Sequence, residues 1–267
     1  MPLRLFFTAL WCALFGCLLS QIPPTPIPTP TDVPIPTAEP ATTDWRALAP
    51  GLEQRSYRPG GSLFGQLYVL RIDPALYRFQ VHYRPGAPLA ISGWERELPA
   101  ATGFVNANFF DPNHVILGLL VADGVVFGQS YQGRGGMFQV QNGQPRVRSL
   151  IAEPYAGEPL EQAVQAFPML VHNGQAAYTP AAQERVSRRT VVAQDSQGRI
   201  LLMVTPLTGL TLEALSQYLP TTDMQLVNAL NLDGGGSTML YVNPAGGQPE
   251  RLPSFDPVPA VLAVYPR

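Results

Sequence analysis

The chain has 267 residues, a formal net charge of −2 and only 13% charged residues. Its basic residues are all arginine, which excludes a lysine nucleophile or Schiff base, and no basic stripe indicates nucleic-acid binding. The two cysteines lie near the N-terminus, so residues 45–267 offer no disulfide, thiolate nucleophile or cysteine-ligated metal. The three histidines are far apart in sequence and match no zinc motif, so we expect neither a metal site nor a cofactor.

Residues 1–20 have the pattern of an export signal. One positive charge precedes an apolar run, Leu5 to Leu19, that is short for a membrane span and suits a signal peptide. Leu14 to Cys17 resembles a bacterial lipoprotein processing site, which makes Cys17 a candidate for lipidation; a plain cleaved signal and an uncleaved anchor are the alternatives. Residues 21–44 are rich in Pro and Thr and predict an extended linker. We therefore expect an extracytoplasmic protein, lipid-anchored at the cell surface or secreted.

Period-two patterns predict that residues 45–267 form one strand-rich domain. Tyr77 to Tyr83 alternates apolar and polar residues as a half-buried strand does, and Leu63 to Ile72 is its expected partner. Further along, paired turn residues that suit the mirror-image turns of hairpins predict four hairpins. These are centred on Asp123-Gly124, Asn142-Gly143, Asn173-Gly174 and Asp195 to Gly198.

Helical patterns are few. Trp94 to Thr102 has a weak one, because Pro99 falls in its middle. A stronger one follows Thr211, with leucines at helical spacing from Leu212 to Leu219, and ends at proline. These elements together predict an α+β fold, a single mostly antiparallel domain with a few helices.

The segment Asn231 to Thr238 is the strongest candidate for chemistry, because it places three glycines between an aspartate and a serine. Apolar stretches on both sides predict a tight loop between two buried strands. Glycines allow positive φ and close approach by another molecule, and successive N–H groups in such a turn can bind an anion. The alternative is a sharp turn in which Asp233 and Ser237 only cap backbone groups.

Two further segments carry side chains that could bind a ligand. Asn106 and Asn108 alternate with apolar residues, so two amides on one face beside aromatic rings could bind a sugar; turn closure is an equal alternative. Arg188-Arg189-Thr190 opens a buried strand, where an arginine could clamp a phosphate or carboxylate. A solvated or structurally ion-paired arginine is the commoner alternative.

In this combination and order, the segments resemble the phosphodiester glycosidase family, which includes the enzyme that removes N-acetylglucosamine from mannose 6-phosphate diesters and many bacterial exopolysaccharide-related proteins. The likeness covers most of the chain from Phe64 to Tyr265. Its motifs are Asn106 to Phe110, Leu117-Gly118 with Val121 to Gly124, Arg189-Thr190, Pro257 to Pro259 and, most specific, Asn228 to Ser237. The sequence departs from the family at Asn108, where glycine is usual, at Val191, and at Asp256, where the family often has a basic residue. These departures concern the substrate more than the reaction.

The resemblance implies hydrolysis of a sugar-1-phosphodiester to free sugar and phosphomonoester. Asp233 would be the base or nucleophile, and Asp111 a weaker second carboxylate. The phosphate would be held by Arg189 and by the N–H groups of Gly235, Gly236 and Ser237. Asn106 and Asn108 would bind sugar hydroxyls or an acetamido group. The other expected substrate-binding residues are Phe110, Gly118, Thr190, Asn231 and Gly234.

Two alternatives use the same residues differently. A surface-anchored glycan-binding module would need the amides, aromatic rings and arginine, but not the charge of Asp233. A serine hydrolase would use Ser237, but the sequence around it lacks the G-x-S-x-G elbow.

Overall fold

The computed structural model describes residues 44–61, 65–244 and 247–267. The predicted signal, the lipidation candidate Cys17 and all but the last residue of the predicted linker lie outside these ranges. Within the described residues, no helix has the length and apolar character needed to cross a membrane.

Antiparallel strands dominate the described chain. In order they are β1 (Arg46–Ala49), β2 (Leu52–Tyr57), β3 (Leu67–Ile72), β4 (Tyr77–Tyr83), β5 (Gly103–Asn106), β6 (Leu119–Ala122), β7 (Val125–Gly128), β8 (Gly136–Gln141), β9 (Gln144–Ser149), β10 (Gln162–Ala166), β11 (Met169–His172), β12 (Gln175–Ala176), β13 (Thr190–Asp195), β14 (Ile200–Val204), β15 (Leu226–Asn231), β16 (Leu240–Val242), β17 (Glu250–Leu252) and β18 (Ala260–Pro266).

The described part contains two α-helices of seven residues each, α1 (Ile91–Glu97) and α2 (Leu212–Tyr218). Helix α1 starts earlier than predicted and ends before Leu98, because the residue before a proline disfavours helical backbone. Helix α2 starts where predicted, capped by the Thr211 hydroxyl, which accepts from the N–H of Ala214 at 3.1 Å. With so little helix the fold is mostly β, and the predicted α+β class fits it only loosely.

The described strands form three sheets, which we call sheets I, II and III. Sheet I has eight strands in the order β1-β2-β3-β14-β13-β15-β11-β12; sheet II has five, β7-β6-β10-β8-β9; sheet III has five, β17-β16-β5-β18-β4. Leu70 of sheet I, Phe138 of sheet II and Leu262 of sheet III belong to one buried apolar cluster, so the three sheets share a core. Leu215 and Leu219 pack α2 and the turn after it into a second cluster with Met203 of sheet I.

The predicted hairpins are confirmed, and the predicted pairing of the consecutive strands β3 and β4 is wrong. The predicted hairpins form as β6–β7, β8–β9, β11–β12 and β13–β14, and Asp123, Asn142 and Asn173 have the positive φ of mirror-image turns. Strand β3, however, pairs with β2 and β14, whereas β4 pairs with β18. Strand β3 lies in sheet I and β4 lies in sheet III. Instead of pairing edge to edge, the two strands pack side chains into the shared core cluster.

Candidate active site

The glycine-rich loop joins two sheets. It leaves β15 in sheet I after Asn231 and enters β16 in sheet III at Leu240. Strand β13 lies beside β15 and β5 lies beside β16, so the start of β13 and the end of β5 flank the loop. The predicted loop between two buried strands is therefore confirmed, and it lies where two sheets meet. We call Asp233 to Ser237 the glycine turn.

Asp233 carries the perturbed carboxyl of the site. Burial raises its pKa from 3.8 to about 6, and hydrogen bonds from the Ser237 side chain and the Gly234 N–H act against that rise. The Gly234 bond to Oδ1 measures 2.9 Å, and the charge of Asp256 adds a smaller upward push. A carboxyl that exchanges its proton near pH 6 suits acid–base work.

Asn106 ties three elements together behind the turn. Its Nδ2 donates to the carbonyl of Asp233 at 2.6 Å. Its Oδ1 accepts from the Thr190 hydroxyl at 2.7 Å and from the N–H of Met239 at 3.1 Å. The amide donor and the amide acceptor of Asn106 are both used within the protein, so the geometry gives Asn106 and Thr190 a positioning role. The binding of sugar hydroxyls by Asn106 stays a prediction without support from these contacts.

The three glycines serve different purposes. Gly235 has φ of 63°, and its N–H donates to the carbonyl of Arg188 at 2.8 Å. A Cβ on Gly234 would lie 2.8 Å from that same carbonyl, and one on Gly236 would overlap Oδ2 of Asp256. Ser237 donates its N–H to the Gly234 carbonyl at 3.2 Å. Of the three predicted phosphate donors, only the N–H of Gly236 has no acceptor among the described residues.

Arg189 does not contact the glycine turn through its side chain, so its predicted role as a phosphate ligand has no support from these contacts. Its Nε donates to the carbonyl of Leu210 at 2.9 Å, and a terminal nitrogen donates to that of Arg185 at 3.1 Å. Arg188, the residue before it, also precedes β13, and its side chain is the one that extends toward the glycine turn, where it donates to the carbonyl of Thr238.

The Arg188 side chain is buried beside the glycine turn, with 5% exposure. One terminal nitrogen donates to the carbonyls of Thr238 at 2.7 Å and Pro253 at 3.0 Å. Burial lowers the pKa of its guanidinium, and within the described ranges Arg188 forms no ion pair with a carboxylate. Its Nε is also buried without a partner. A bound anion would complete this site.

Asp111 and Phe110 belong to a separate turn. Oδ1 of Asp111 accepts from the N–H groups of Asn113 and Val115, both at 2.9 Å, so its carboxylate caps the turn. The Phe110 ring stacks on His114 of the same turn, with centroids 5.6 Å apart. These contacts give Asp111 the structural role of an Asp-Pro turn and offer no support for it as the second carboxylate.

The remaining predicted residues line the surroundings of the turn. Asn108 donates to the carbonyls of Leu119 and Gln165 at 3.0 and 3.1 Å, whereas Asn106 contacts other elements. The two side chains do not share a face, because β5 ends at Asn106 and the alternation of a strand stops there. Gly118 has φ of 82°, and its missing Cβ makes room for the Tyr131 ring. Asn231 donates to the carbonyl of Phe167 at 3.0 Å.

A segment that the sequence reasoning did not assign to the site docks on the glycine turn. The N–H groups of Phe255 and Asp256 both donate to the carbonyl of Gly236, at 2.7 and 3.1 Å. The Phe255 ring centroid lies 4.7 Å from the guanidinium carbon of Arg188. We call residues 253–256 the docking segment. No local sequence pattern connects it to the turn; Asp256 stood out only as a departure from the family.

Unpartnered buried polar atoms concentrate at these elements. Such atoms are rare in folded proteins, so a cluster of them indicates a polar ligand. Those at the turn and the elements beside it are Nε of Arg188, Oδ1 of Asn231, Oγ1 of Thr238 and Oγ of Ser254, and Oδ1 of Asn108 lies two residues beyond Asn106; Oε1 of Gln139 and Nε of Arg148 lie elsewhere in the described chain. A cleft of about 550 Å³ instead lies among hairpin turns lined by Asp123, Asn142 and Arg267. We place the site at the glycine turn, because that cleft holds no comparable group of unpartnered polar atoms.

Known proteins resemble this chain in sequence and in fold. The sequence profile described as phosphodiester glycosidase matches residues 100–265. No curated protein matches the chain.

Three solved structures show the same fold. The catalytic domain of zebrafish N-acetylglucosamine-1-phosphodiester alpha-N-acetylglucosaminidase, auto-inhibited by its pro-peptide, superposes with a TM-score of 0.62 at 18% identity, over 82% of this chain and 85% of that one. A hypothetical protein from Synechocystis gives 0.53 at 18% identity, over 81% and 62%. A Burkholderia pseudomallei protein described as exported gives 0.53 at 12% identity, over 80% and 74%. With the profile covering more than half of its length, the chain belongs to the phosphodiester glycosidase family.

Proposed function

We propose that this protein hydrolyses sugar-1-phosphodiesters to a free sugar and a phosphomonoester. One observation carries the proposal: Asp233, with its pKa raised to about 6, lies on the glycine turn, and the buried guanidinium of Arg188, which forms no ion pair among the described residues, lies beside that turn. A carboxylate on the turn and an anion-binding group that donates to the residue after it, Thr238, suit a substrate in which a reacting sugar carbon is bonded to a phosphate. Membership of the family supports the same reaction.

The chemistry explains why the site needs few groups. Water adds across the bond between the anomeric carbon and the phosphate oxygen, and the phosphomonoester leaves with that oxygen. A phosphomonoester is a better leaving group than an alcohol, so protonating it matters less than in ordinary glycoside hydrolysis. The larger tasks are to stabilise the oxocarbenium-like sugar and to hold the phosphate.

Asp233 serves the sugar side of this reaction as base or nucleophile. Asn106 fixes its main chain, and the Gly234 N–H fixes its carboxylate. Arg188 and the N–H of Gly236 serve the phosphate side. In this assignment Arg188 replaces Arg189 as the phosphate ligand, because the Arg189 side chain donates to carbonyls of Arg185 and Leu210.

The N-terminal pattern supports a location for this activity. A signal, a candidate lipidated cysteine and a Pro/Thr linker would hold the domain outside the cytoplasm. The substrate would then be a glycan phosphodiester of the exopolysaccharide or cell envelope. Replacing Cys17 with serine should release the protein from membranes, whereas unchanged retention would favour an uncleaved anchor.

The test is product release from a panel of sugar-1-phosphate esters by the purified protein, including those of N-acetylglucosamine. We expect equal amounts of free sugar and phosphomonoester. Saturable binding of these esters without any release would instead support the alternative of a glycan-binding module.

A further inference from the structure

Phe255 is the most exposed large apolar side chain of the described chain, at 79%. Its backbone is nevertheless fixed, because its N–H donates to the carbonyl of Gly236 at 2.7 Å. The carbonyl of Pro253, in the same docking segment, accepts from Arg188 at 3.0 Å. An exposed ring on an anchored segment at the edge of the site has the position of a binding surface.

The ring already contacts the group that we assign to the phosphate. Its centroid lies 4.7 Å from the guanidinium carbon of Arg188, within the range of a cation–π contact. The groups fixed against the Asp233 carboxylate are Gly234 and Ser237. If Arg188 holds the phosphate and Asp233 acts on the sugar, the Phe255 ring is the exposed apolar surface beside Arg188 that the second substituent of the phosphate can contact.

We propose that Phe255 is a specificity-determining platform for the aglycone, the group that stays on the phosphate after cleavage. It favours aglycones with a flat apolar face, such as a pyranose or an aromatic ring, which stack on the open face of the phenyl ring. Asp256 follows directly and is exposed with its carboxylate against Gly236, so uncharged aglycones are preferred over anionic ones. This inference rests on the proposed function.

The test compares two esters of the same sugar-1-phosphate, one methyl and one phenyl, with the full-length protein. In Phe255→Ala we expect the KM for the phenyl ester to rise about tenfold, as expected for loss of one stacking contact, with kcat nearly unchanged. The methyl ester has no ring to stack, so its KM should stay the same and also report that the variant is folded. Phe255→Trp should keep the preference for the phenyl ester. Ile151→Ala, at a residue 66% exposed elsewhere, is the matched control and should change neither substrate.

Each other outcome overturns the proposal in a recognisable way. Equal loss on both esters would make Phe255 a support for Arg188 and not an aglycone contact. Unchanged kinetics on both would place the ring outside the substrate site while the hydrolase function stands. If the unmodified protein hydrolyses neither ester nor any of the panel, the proposed function fails and the platform fails with it.

Discussion

The two sides of the site, which we call its walls, differ in how fully their polar groups are paired within the protein. Around Asn106, donors and acceptors are paired inside the protein, and the side chain is buried. Around Arg188 and Phe255, a cation lacks its anion, polar atoms lack partners and an aromatic ring lies in solvent. The first wall fixes the geometry of Asp233, and the second is left for the substrate to complete. Paired groups thus indicate positioning, and unpaired ones indicate binding.

Replacing Asp233 with asparagine should have the largest effect, because it removes the reacting charge and keeps the size and the acceptor for Gly234. We expect kcat to fall by about 10²- to 10⁴-fold with little change in substrate affinity. Turnover and binding of an inert substrate analogue measure the two quantities separately.

The same variant separates chemistry from turn capping through its stability. The folded pKa of Asp233 lies above its unfolded value, so the folded state binds more protons and the stability contributed by this group falls as pH rises from about 4 to 6. At pH 7 the buried charge costs stability, and Asp233→Asn should raise the melting temperature. A much lower melting temperature with activity retained would mean that Asp233 only caps the turn.

Replacing Asn106 should lower the stability of the folded protein and leave substrate binding unchanged. Asn106→Ala leaves the Thr190 hydroxyl, the Met239 N–H and the Asp233 carbonyl without their partner, at a cost of about 1–3 kcal/mol per buried group. Chemical denaturation should show this loss. If stability is unchanged but KM rises strongly, Asn106 contacts substrate after all.

Gly235→Ala should have a smaller effect, of about 1 kcal/mol, because a side chain must adopt φ of 63° there. Space is not the obstacle, since the nearest atom to the new Cβ would be the Ser187 hydroxyl oxygen at 3.5 Å. Gly124→Ala, at φ of 80° in the turn of a distant hairpin, is the control for backbone strain alone. A loss of turnover in Gly235→Ala beyond that control would show that the turn geometry serves the reaction.

The pH dependence should be the mildest effect at neutral pH and should grow on acidification. If ionised Asp233 is required, kcat/KM falls about tenfold per pH unit below about 6, as the carboxyl takes up its proton. A pH–rate profile of the unmodified enzyme measures this limb. A profile flat down to pH 4 would exclude Asp233 as a base.

Features decided by neighbours in the chain were predictable from the sequence. The Asn-Gly and Asp-Gly hairpins, helix α2 and the glycine turn all depend on local backbone preferences. The partner of β4 was not predictable, because β18 lies at the far end of the chain. Pairing across sheets depends on how the shared core packs.

The site residues follow the same distinction between features set by local sequence and features set by the fold. Asp233 and the glycines were recognised from one contiguous motif, whereas Arg189 was preferred over Arg188 because it forms the Arg-Thr pair of the family resemblance; which of the two side chains extends toward the turn depends on the fold. Asp111 was expected to be catalytic, but its contacts are those of the turn that its own neighbours form. Phe255 and Asp256 reach the turn only through the fold.

The most direct test of the account compares Arg188→Lys with Arg189→Lys on two substrates of the same sugar, a phosphodiester and an activated glycoside without phosphate. Lysine keeps the charge but loses the planar fork of donors, and the ratio of the two activities cancels any loss of folded protein. We predict that Arg188→Lys lowers kcat/KM at least about tenfold for the phosphodiester alone, and that Arg189→Lys changes neither ratio nor rate appreciably. Selective loss in Arg189→Lys, or equal loss on both substrates in Arg188→Lys, would contradict the assignment of Arg188 to the phosphate.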